Sequence, residues 1–217
     1  MKGLYSVQGE SSMLAARAVH AKNGMNVLDC CAAPGGKAAY IAEDMQNTGR
    51  VQAWDVYRHR VDLIQKNAER LRLYNVRPMM RDATVLREQF IGMMDAVLLD
   101  APCSGTGVLG EKPDAKYRYS EEKVAELQKL QQTLMDTCCQ YVKPGGTFVY
   151  ATCSLLPEEN GEQVRRFLSE HQDFHLDALP ETIPDNLRQK YGETGLQLLP
   201  GIDGVEGFFI ARMVKDA

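Results

Sequence analysis

The sequence has no long apolar run and no secretion signal. In its 217 residues, no uninterrupted hydrophobic segment approaches the roughly 20 residues that a membrane-spanning helix requires. The first residues, MKGLYSVQ, carry one positive charge but no apolar segment follows them, so a signal peptide is not predicted. We therefore expect a cytoplasmic protein that does not associate with membranes.

The cysteines lack the spacing of a metal site. There is no C-x-x-C motif and no histidine at metal-ligand spacing among them, and they form two adjacent pairs and two single residues: Cys30, Cys31, Cys103, Cys138, Cys139 and Cys153. This arrangement disfavours zinc, and no metal is predicted. In the cytoplasm these residues should be reduced thiols, and the ordinary role of each is that of a small buried hydrophobic side chain.

The chain also lacks an overall positive charge. The 25 Lys and Arg against 29 Asp and Glu give a formal net charge of -4, which argues against a strong nucleic-acid footprint over the whole surface. Residues 57–87 differ, because they contain eight Lys or Arg and three Asp or Glu. Such a run is usually a solvated helix face, and contact with a nucleic acid is the alternative.

Short apolar segments rich in β-branched residues alternate with helical patterns, which predicts βαβ units and a parallel sheet. Strands are predicted at residues 26–30, 50–55, 77–80, 95–100, 147–152 and 207–214, and helices at residues 37–45, 58–73 and 157–170. A further helix should begin at a Ser120 cap, be stopped by Lys143-Pro144-Gly145 and bury Val124, Leu127, Leu130, Leu134 and Cys138. Between residues 174 and 204 the pattern weakens.

A turn rich in small residues follows the first strand: Cys31, Ala32, Ala33, Pro34, Gly35, Gly36 and Lys37. Ligands of open α/β sheets bind outside the carboxyl ends of the strands, and small residues there let a ligand approach a helix N-terminus. The turn is not a P-loop, because Cys31 and Ala38 occupy positions that need Gly and Ser or Thr, and it is not G-x-G-x-x-G. Its spacing alone is also compatible with a simple tight turn.

Three carboxylates should meet at the same edge of the sheet. Asp55 ends the second strand, Asp82 follows the third and Asp100 ends the buried strand at 95–100. A carboxylate at the position of Asp55 commonly accepts hydrogen bonds from a ribose, whereas Asp100, after a run of apolar residues, is costly to bury without a partner. Each alone could be a strand-end cap, but together they favour a nucleotide-like ligand.

Two cysteines share this edge. Cys103 lies in the segment DAPCSG and Cys153 in ATCS, each just after a central strand. A free thiol with a pKa near 8.5 is about 3% thiolate at pH 7, which suffices for a nucleophile on a slow enzyme. For Cys30, which ends a strand, and for Cys138 and Cys139, which lie within a predicted helix, a structural role is favoured.

Together these segments resemble the Sun (Fmu) family of S-adenosylmethionine-dependent RNA cytosine-5 methyltransferases. The matching segments are DCCAAPGGK, the strand-end Asp55, DAPCSGTG, and YATCS followed by Pro157-Glu158-Glu159-Asn160, and the match extends from GLYSVQGESSMLA to GVEGFFIARM. The resemblance implies a Rossmann-like class I methyltransferase fold, with a mostly parallel seven-stranded sheet and helices on both faces. Within the family the chain is most similar to the bacterial enzymes that modify 16S ribosomal RNA.

The resemblance also implies a role for each residue at the sheet edge. Cys153 is expected to add to carbon 6 of cytosine, and Cys103 to assist resolution of the covalent adduct and product release. Asp100 is expected to bind the cytosine edge near nitrogen 3, close to the methionine end of the cofactor. Residues 31–37 would wrap S-adenosylmethionine, with Asp55 at its ribose and Asp82 at its adenine.

Two departures from the family pattern affect RNA binding. The long loop reads KPDAKYR at residues 112–118, where relatives often have a basic residue followed by Trp, and Tyr117 could still stack on a base. Relatives also carry RNA-binding sequence before the core. We therefore expect residues 1–217 to be a single catalytic domain, either excised or part of a truncated protein, with a helical lead-in over about residues 1–24 and no upstream RNA-binding region. We also expect a monomer.

Other functions stay open at this stage. A cytosine-5 methyltransferase acting on tRNA or DNA would use Cys103 as its nucleophile, although the second thiol in TCS and the lack of a recognisable target-recognition domain count against DNA. Amino methylation is disfavoured because Ala101-Pro102-Cys103 replaces an Asp/Asn-Pro-Pro-aromatic turn, and a nicotinamide dehydrogenase should show G-x-G-x-x-G. A catalytically silent RNA-assembly module is the alternative from a different class.

Overall fold

The computed structural model describes residues 3, 5–111, 113, 117 and 120–217, and its centre is one β-sheet. The strands are β1 Asn26–Asp29, β2 Arg50–Asp55, β3 Val76–Met80, β4 Met94–Asp100, β5 Val142–Thr152, β6 Phe174–Leu176, β7 Leu196–Leu198 and β8 Phe208–Lys215. Their order is β3-β2-β1-β4-β5-β8-β6, and β7 pairs with β8 outside this path. The first five strands pair in parallel, whereas β8 is antiparallel to its neighbours.

Helices cover both faces of the sheet. They are α1 Glu10–Val19, α2 Gly36–Asp44, α3 Arg58–Leu71, α4 Glu121–Cys138, α5 Gly161–Glu170 and α6 Asp185–Arg188. One core contains buried residues of α1, α2, α3 and α6, and the other contains those of α4 and α5. Successive strand residues point to opposite faces, so Leu98 joins the first core and its neighbours Val97 and Leu99 join the second. Among the described residues, none of the helices is long and apolar enough to cross a membrane.

The seven strands that the family resemblance implies are correct for the main path, whereas the sequence pattern located six strands and missed β6 and β7. Within the described residues the sheet has eight strands, because β7, only three residues long, adds to the edge of β8. Both β6 and β7 lie in the region where the sequence pattern weakens. Three residues are too few to show a period of two, so hydrophobic patterning cannot detect such strands.

The expectation that Lys143-Pro144-Gly145 ends the preceding helix is wrong. α4 ends at Cys138, a 3-10 turn covers Cys139–Tyr141, and β5 begins at Val142. The pairing of β4 with β5 shifts register between Met94 and Ala96, whose partners are Val142 and Thr147. The Pro-Gly segment lies in this irregular part of the strand, where a proline removes no regular ladder hydrogen bond.

The buried face of α4 differs from the predicted one at its centre. Ser120 caps the helix as expected, with its hydroxyl accepting from the Lys123 N–H at 3.3 Å. Leu130, however, is 36% exposed, while Gln131 is fully buried. Burial of Gln131 is possible because its amide donates to the Pro102 carbonyl and to the Glu159 carboxylate; a buried amide without partners would be costly.

The remaining predicted strands and helices match the structure within two residues, except for β5, which begins at Val142 instead of residue 147, and for the last helix. The segment at 157–170 is divided into a 3-10 turn, Pro157–Glu159, and helix α5, which begins at Gly161. Asn160 separates them with a backbone conformation outside the helical region. This break places Glu159 on a turn behind the carboxyl end of β5.

Candidate active site

A cavity of about 850 Å³ lies at the carboxyl ends of the parallel strands. Strands β2 and β3 follow β1 on one side of the sheet, whereas β4 and β5 lie on its other side. The strand order therefore reverses between β1 and β4, and the cavity lies at this switch point, where open α/β sheets bind ligands. Of the predicted residues, all but Gly35 line it: Cys31, Ala32, Ala33, Pro34, Gly36, Lys37, Asp55, Asp82, Asp100, Cys103 and Cys153.

The turn between β1 and α2 forms one wall of the cavity. Its backbone is fixed by hydrogen bonds from the Ala32 N–H to the Trp54 carbonyl, 2.8 Å, and from the Gly35 N–H to the Ala32 carbonyl, 2.7 Å. Gly35 has φ +102°, and a Cβ there would lie 3.2 Å from the backbone of Ile64 on α3. Glycine is therefore needed at this position for the turn and the packing, and the N-terminus of α2 faces the cavity from Gly36 onward.

A buried carboxyl that the sequence analysis did not single out lies on the floor of the cavity. Asp29, the last residue of β1, is 1% exposed and lines the cavity. No side chain among the described residues forms a hydrogen bond with its carboxylate oxygens, and the nearby backbone N–H of Cys31 favours the charged form. Burial raises the pKa of Asp29 to about 7; Lys37 acts in the opposite direction and Asp100 in the same direction as burial.

Lys37 and Asp100 form an ion pair at the centre of the cavity. The Lys37 ammonium lies 2.6 Å from Oδ2 of Asp100 and 5.5 Å from the centroid of the Phe208 ring. Burial tends to lower the pKa of Lys37, but the attraction and the hydrogen bond of Asp100 outweigh it, so the pKa is raised. The expectation that Asp100 needs a partner is confirmed, and Lys37 is that partner.

The two predicted thiols are neighbours. The Sγ atoms of Cys103 and Cys153 are 3.3 Å apart and share a hydrogen bond. That hydrogen bond, together with burial, raises the pKa of Cys103 well above its usual value. By contrast, Cys30, Cys138 and Cys139 belong to the core on the α4 and α5 face, as the sequence predicts.

A buried network behind the thiols joins the two loops that carry them. Glu159, fully buried, accepts hydrogen bonds from the Ser104 N–H, the Ser104 hydroxyl, the Ser154 hydroxyl and the Gln131 amide. The Gly107 N–H also donates to the Cys153 carbonyl at 3.0 Å. Sequence reasoning noted Glu159 only as part of the PEEN segment, because its partners are distant along the chain.

The two outer carboxylates lie farther along the same edge. Oδ1 of Asp55 accepts from the Tyr57 N–H at 3.1 Å, and its Oδ2 lies 3.3 Å from the Arg60 guanidinium. Oδ1 of Asp82 accepts from the backbone N–H and the hydroxyl of Thr84. Both line the cavity, so the structure brings the three predicted carboxylates to one site.

The basic stretch at 57–87 contributes to the rim of this site. Arg60 and Arg81 line the cavity, together with Tyr57. Tyr117, in the long loop, is 80% exposed. The basic residues of that loop, Lys112, Lys116 and Arg118, lie outside the described residues.

One group of possible metal ligands lies outside the cavity lining. Ligand atoms of Asp136, Glu170 and His171 are within 4.8 Å of one another. The guanidinium of Arg166 pairs with both carboxylates, 3.0 Å from Asp136. A cation of the chain therefore already offsets part of the negative charge of this cluster.

Comparison with known proteins decides the family. Residues 16–214 match the model of the family described as 16S rRNA methyltransferase RsmB/F. The chain belongs to this family. It is 43% identical over 215 residues to the probable ribosomal RNA small subunit methyltransferase B of Bacillus subtilis (strain 168), covering 98% of this chain and 48% of that protein.

Two further comparisons agree with this assignment. Ribosomal RNA small subunit methyltransferase B of Cronobacter sakazakii (strain ATCC BAA-894) is 38% identical over 220 residues, covering 99% of this chain and 48% of the relative. The crystal structure of NSun6 from Pyrococcus horikoshii with SFG superposes with a TM-score of 0.88 at 29% identity, covering 100% of this chain and 54% of that one. The predictions of this family, of the Rossmann-like methyltransferase fold and of S-adenosylmethionine as cofactor are confirmed. The chain spans about half the length of these curated relatives.

Proposed function

We propose that this chain is the catalytic domain of an enzyme that methylates carbon 5 of a cytidine in 16S ribosomal RNA. The observation that carries the proposal is the pair of thiols, Cys103 and Cys153, 3.3 Å apart in the cavity that also holds the Lys37–Asp100 ion pair. Methyl transfer to an oxygen or to an exocyclic nitrogen needs no thiol. Methylation of cytosine carbon 5 does, because that carbon becomes nucleophilic only after a nucleophile adds to carbon 6.

The cavity fits S-adenosylmethionine. This cofactor has an ammonium and a sulfonium group, and Asp29 offers a buried carboxyl on the cavity floor that has no side-chain hydrogen bond among the described residues. The turn of residues 31–37 and the N-terminus of α2 suit its carboxylate. Asp55 would accept hydrogen bonds from its ribose hydroxyls, and Asp82 would lie at its adenine. When bound, the cofactor supplies an electrophilic methyl group.

We assign the nucleophile to Cys153. Its thiolate would form a bond to carbon 6 of cytosine, and the electron pair of the C5–C6 double bond would shift into the ring. The Lys37 ammonium interacts favourably with a negative charge on Cys153, which favours the thiolate. Asp100, held by Lys37, would position the cytosine edge by accepting from the 4-amino group beside nitrogen 3, and the Lys37 ammonium would stabilise the negative charge that develops in the ring.

Cys103 has a different part in the proposed reaction. Its hydrogen bond with Cys153 and its burial raise its pKa, so it stays a thiol beside the nucleophile. After methylation a base removes the carbon 5 proton. The electron pair of that C–H bond re-forms the C5–C6 double bond, and the Cys153–C6 bond breaks. We propose that Cys103 assists this elimination and the release of product.

Trapping of the covalent adduct tests the assignment. Cys153→Ala should abolish methylation and leave no RNA adduct on denaturing electrophoresis, because the first bond cannot form. Cys103→Ala should be inactive or slow and should accumulate an adduct that survives denaturation. Cys139→Ala, at a buried thiol outside the cavity lining, is the matched control and should behave like the unmodified protein. The reversed trapping pattern would make Cys103 the nucleophile and contradict the proposal.

A separate experiment tests the substrate. Mapping of 5-methylcytidine in ribosomal and transfer RNA, from cells with and without the gene, should show the loss of a modified cytidine in 16S ribosomal RNA. Loss confined to transfer RNA would contradict the proposed substrate but not the proposed chemistry.

A further inference from the structure

We propose that Glu159 is a positioning residue that sets the distance between the thiols of Cys103 and Cys153. Glu159 does not line the cavity; it lies behind it on the 3-10 turn after β5. That the two thiols react with the same substrate rests on the proposed function. The distance between them does not depend on it.

The argument begins with what the carboxylate holds. Oε2 accepts from the hydroxyls of Ser104 and Ser154, both at 2.5 Å. Oε1 accepts from the Ser104 N–H at 2.9 Å and from the Gln131 amide at 3.0 Å. A buried carboxylate with four donors is fully satisfied, and such charge-assisted bonds are short and strong.

The position of the two serines gives these bonds their significance. Ser104 directly follows Cys103, and Ser154 directly follows Cys153. One oxygen atom of Glu159 therefore holds the residue after each thiol, although the two loops are 50 residues apart in sequence. A shift of this oxygen would move both loops and change the separation of the sulfur atoms.

Glu159 itself is held rigidly. The Tyr150 hydroxyl donates to its backbone carbonyl at 2.6 Å. Gln131, which donates to its Oε1, also donates to the carbonyl of Pro102 at 2.9 Å, the residue before Cys103. The carboxylate is thus fixed with respect to β5, α4 and the Cys103 loop.

The chemistry of the site requires a carboxylate rather than an amide. A glutamine has one acceptor oxygen and brings an NH₂ donor. If its NH₂ faced the Ser104 N–H and the Gln131 amide, donors would oppose donors. If it faced the serines, both hydroxyls would have to turn and lose the acceptor that they share. Either orientation loosens one side of the network, while the volume of the side chain is kept.

A trivalent arsenical measures the thiol separation without RNA or cofactor. Phenylarsine oxide forms two As–S bonds with a pair of adjacent thiols and releases its oxygen as water with the two thiol protons, so no oxidation occurs. The unmodified protein should bind it tightly, and Cys103→Ala or Cys153→Ala should abolish that tight binding. Glu159→Gln should weaken it about tenfold and lower methyl transfer roughly 100-fold, with unchanged affinity for S-adenosylmethionine.

Matched variants separate positioning from folding. Glu158→Gln changes the neighbouring, exposed glutamate and should alter neither arsenical affinity nor methyl transfer. Ser154→Ala removes one donor and leaves the carboxylate, so it should change both in the same direction as Glu159→Gln but less. Thermal melting of each variant reports folding.

The outcomes are distinct. Unchanged arsenical affinity in folded Glu159→Gln, whether or not activity or melting temperature falls, would overturn the positioning role and leave a structural one. Weaker arsenical binding in Glu159→Gln, combined with no methylation by the unmodified chain at RNA concentrations that saturate binding, would support the positioning role and contradict the proposed function instead.

Discussion

The buried carboxyl of Asp29 should make the stability of the ligand-free protein depend on pH. Its ordinary pKa of 3.8 is raised to about 7, mainly by burial. Between these values the folded protein keeps a proton that the unfolded chain has released, so the free energy of unfolding falls as pH rises. A shift of about 3 units, at about 1.4 kcal/mol per unit, corresponds to a loss of about 4 kcal/mol between pH 4 and pH 7.

Asp29→Asn isolates this effect, since the amide cannot ionise. At pH 4 the variant and the unmodified protein should have similar stability, because a neutral carboxyl and an amide are buried there alike. At pH 8 the variant should be more stable by up to about 4 kcal/mol, because it has no charge to bury. The difference between the two proteins should therefore grow as pH rises from 4 to 8.

Urea unfolding of both proteins at several pH values between 4 and 8, without cofactor, measures this difference. Asp62→Asn makes the same change at an exposed carboxyl on α3 and is the matched control. A difference between Asp29→Asn and the unmodified protein that stays constant over this range would refute the reasoning, because it would mean that Asp29 has the same charge in the folded and unfolded states.

Two further predictions concern ligands. Asp55→Ala should weaken S-adenosylmethionine binding by roughly 1.5–3 kcal/mol for each ribose hydrogen bond lost, and unchanged affinity by calorimetry would place the ribose elsewhere. This chain alone, with its net charge of -4, should bind RNA weakly, with a shallow salt dependence of about 0.7 per phosphate contact. A salt titration beside the longer Bacillus subtilis relative tests this, and equal affinity and selectivity would locate RNA recognition in these 217 residues.

The central strands of the sheet, and the residues that follow them at the carboxyl edge, could be predicted from the sequence because both depend on local patterns. β2 occupies the predicted residues 50–55, and the residues just after the central strands meet in one cavity, as parallel topology requires. The carboxyl end of a strand can be located from its apolar run alone. Asp100 and Cys103 could therefore be placed together before any contact was known.

What could not be predicted depends on contacts between distant segments. Glu159 forms hydrogen bonds with Ser104, 55 residues away in sequence, and with Gln131, 28 residues away. The hydrophobic periodicity of the sequence gives no information about such pairs. The burial of Gln131 in place of Leu130 has the same cause. Asp29 lies inside an apolar strand segment, and only the three-dimensional structure shows that its oxygens lack side-chain hydrogen bonds among the described residues.

The carboxylates of this site differ in how many hydrogen-bond partners the protein gives them. This difference indicates which carboxylate holds the loops and which one is available to a ligand. Glu159 has four donors, so it has little capacity for a ligand and is suited to hold loops. Asp29 has no side-chain hydrogen bond among the described residues, although a buried carboxyl with so few partners destabilises the folded state. Such a cost is expected where a ligand completes the site. We therefore infer that the cation of a bound cofactor would lower the pKa of Asp29, so that binding should release a proton near pH 6, and calorimetry in buffers of different ionisation enthalpy would detect it. Binding without proton release at that pH would show that the cation lies elsewhere.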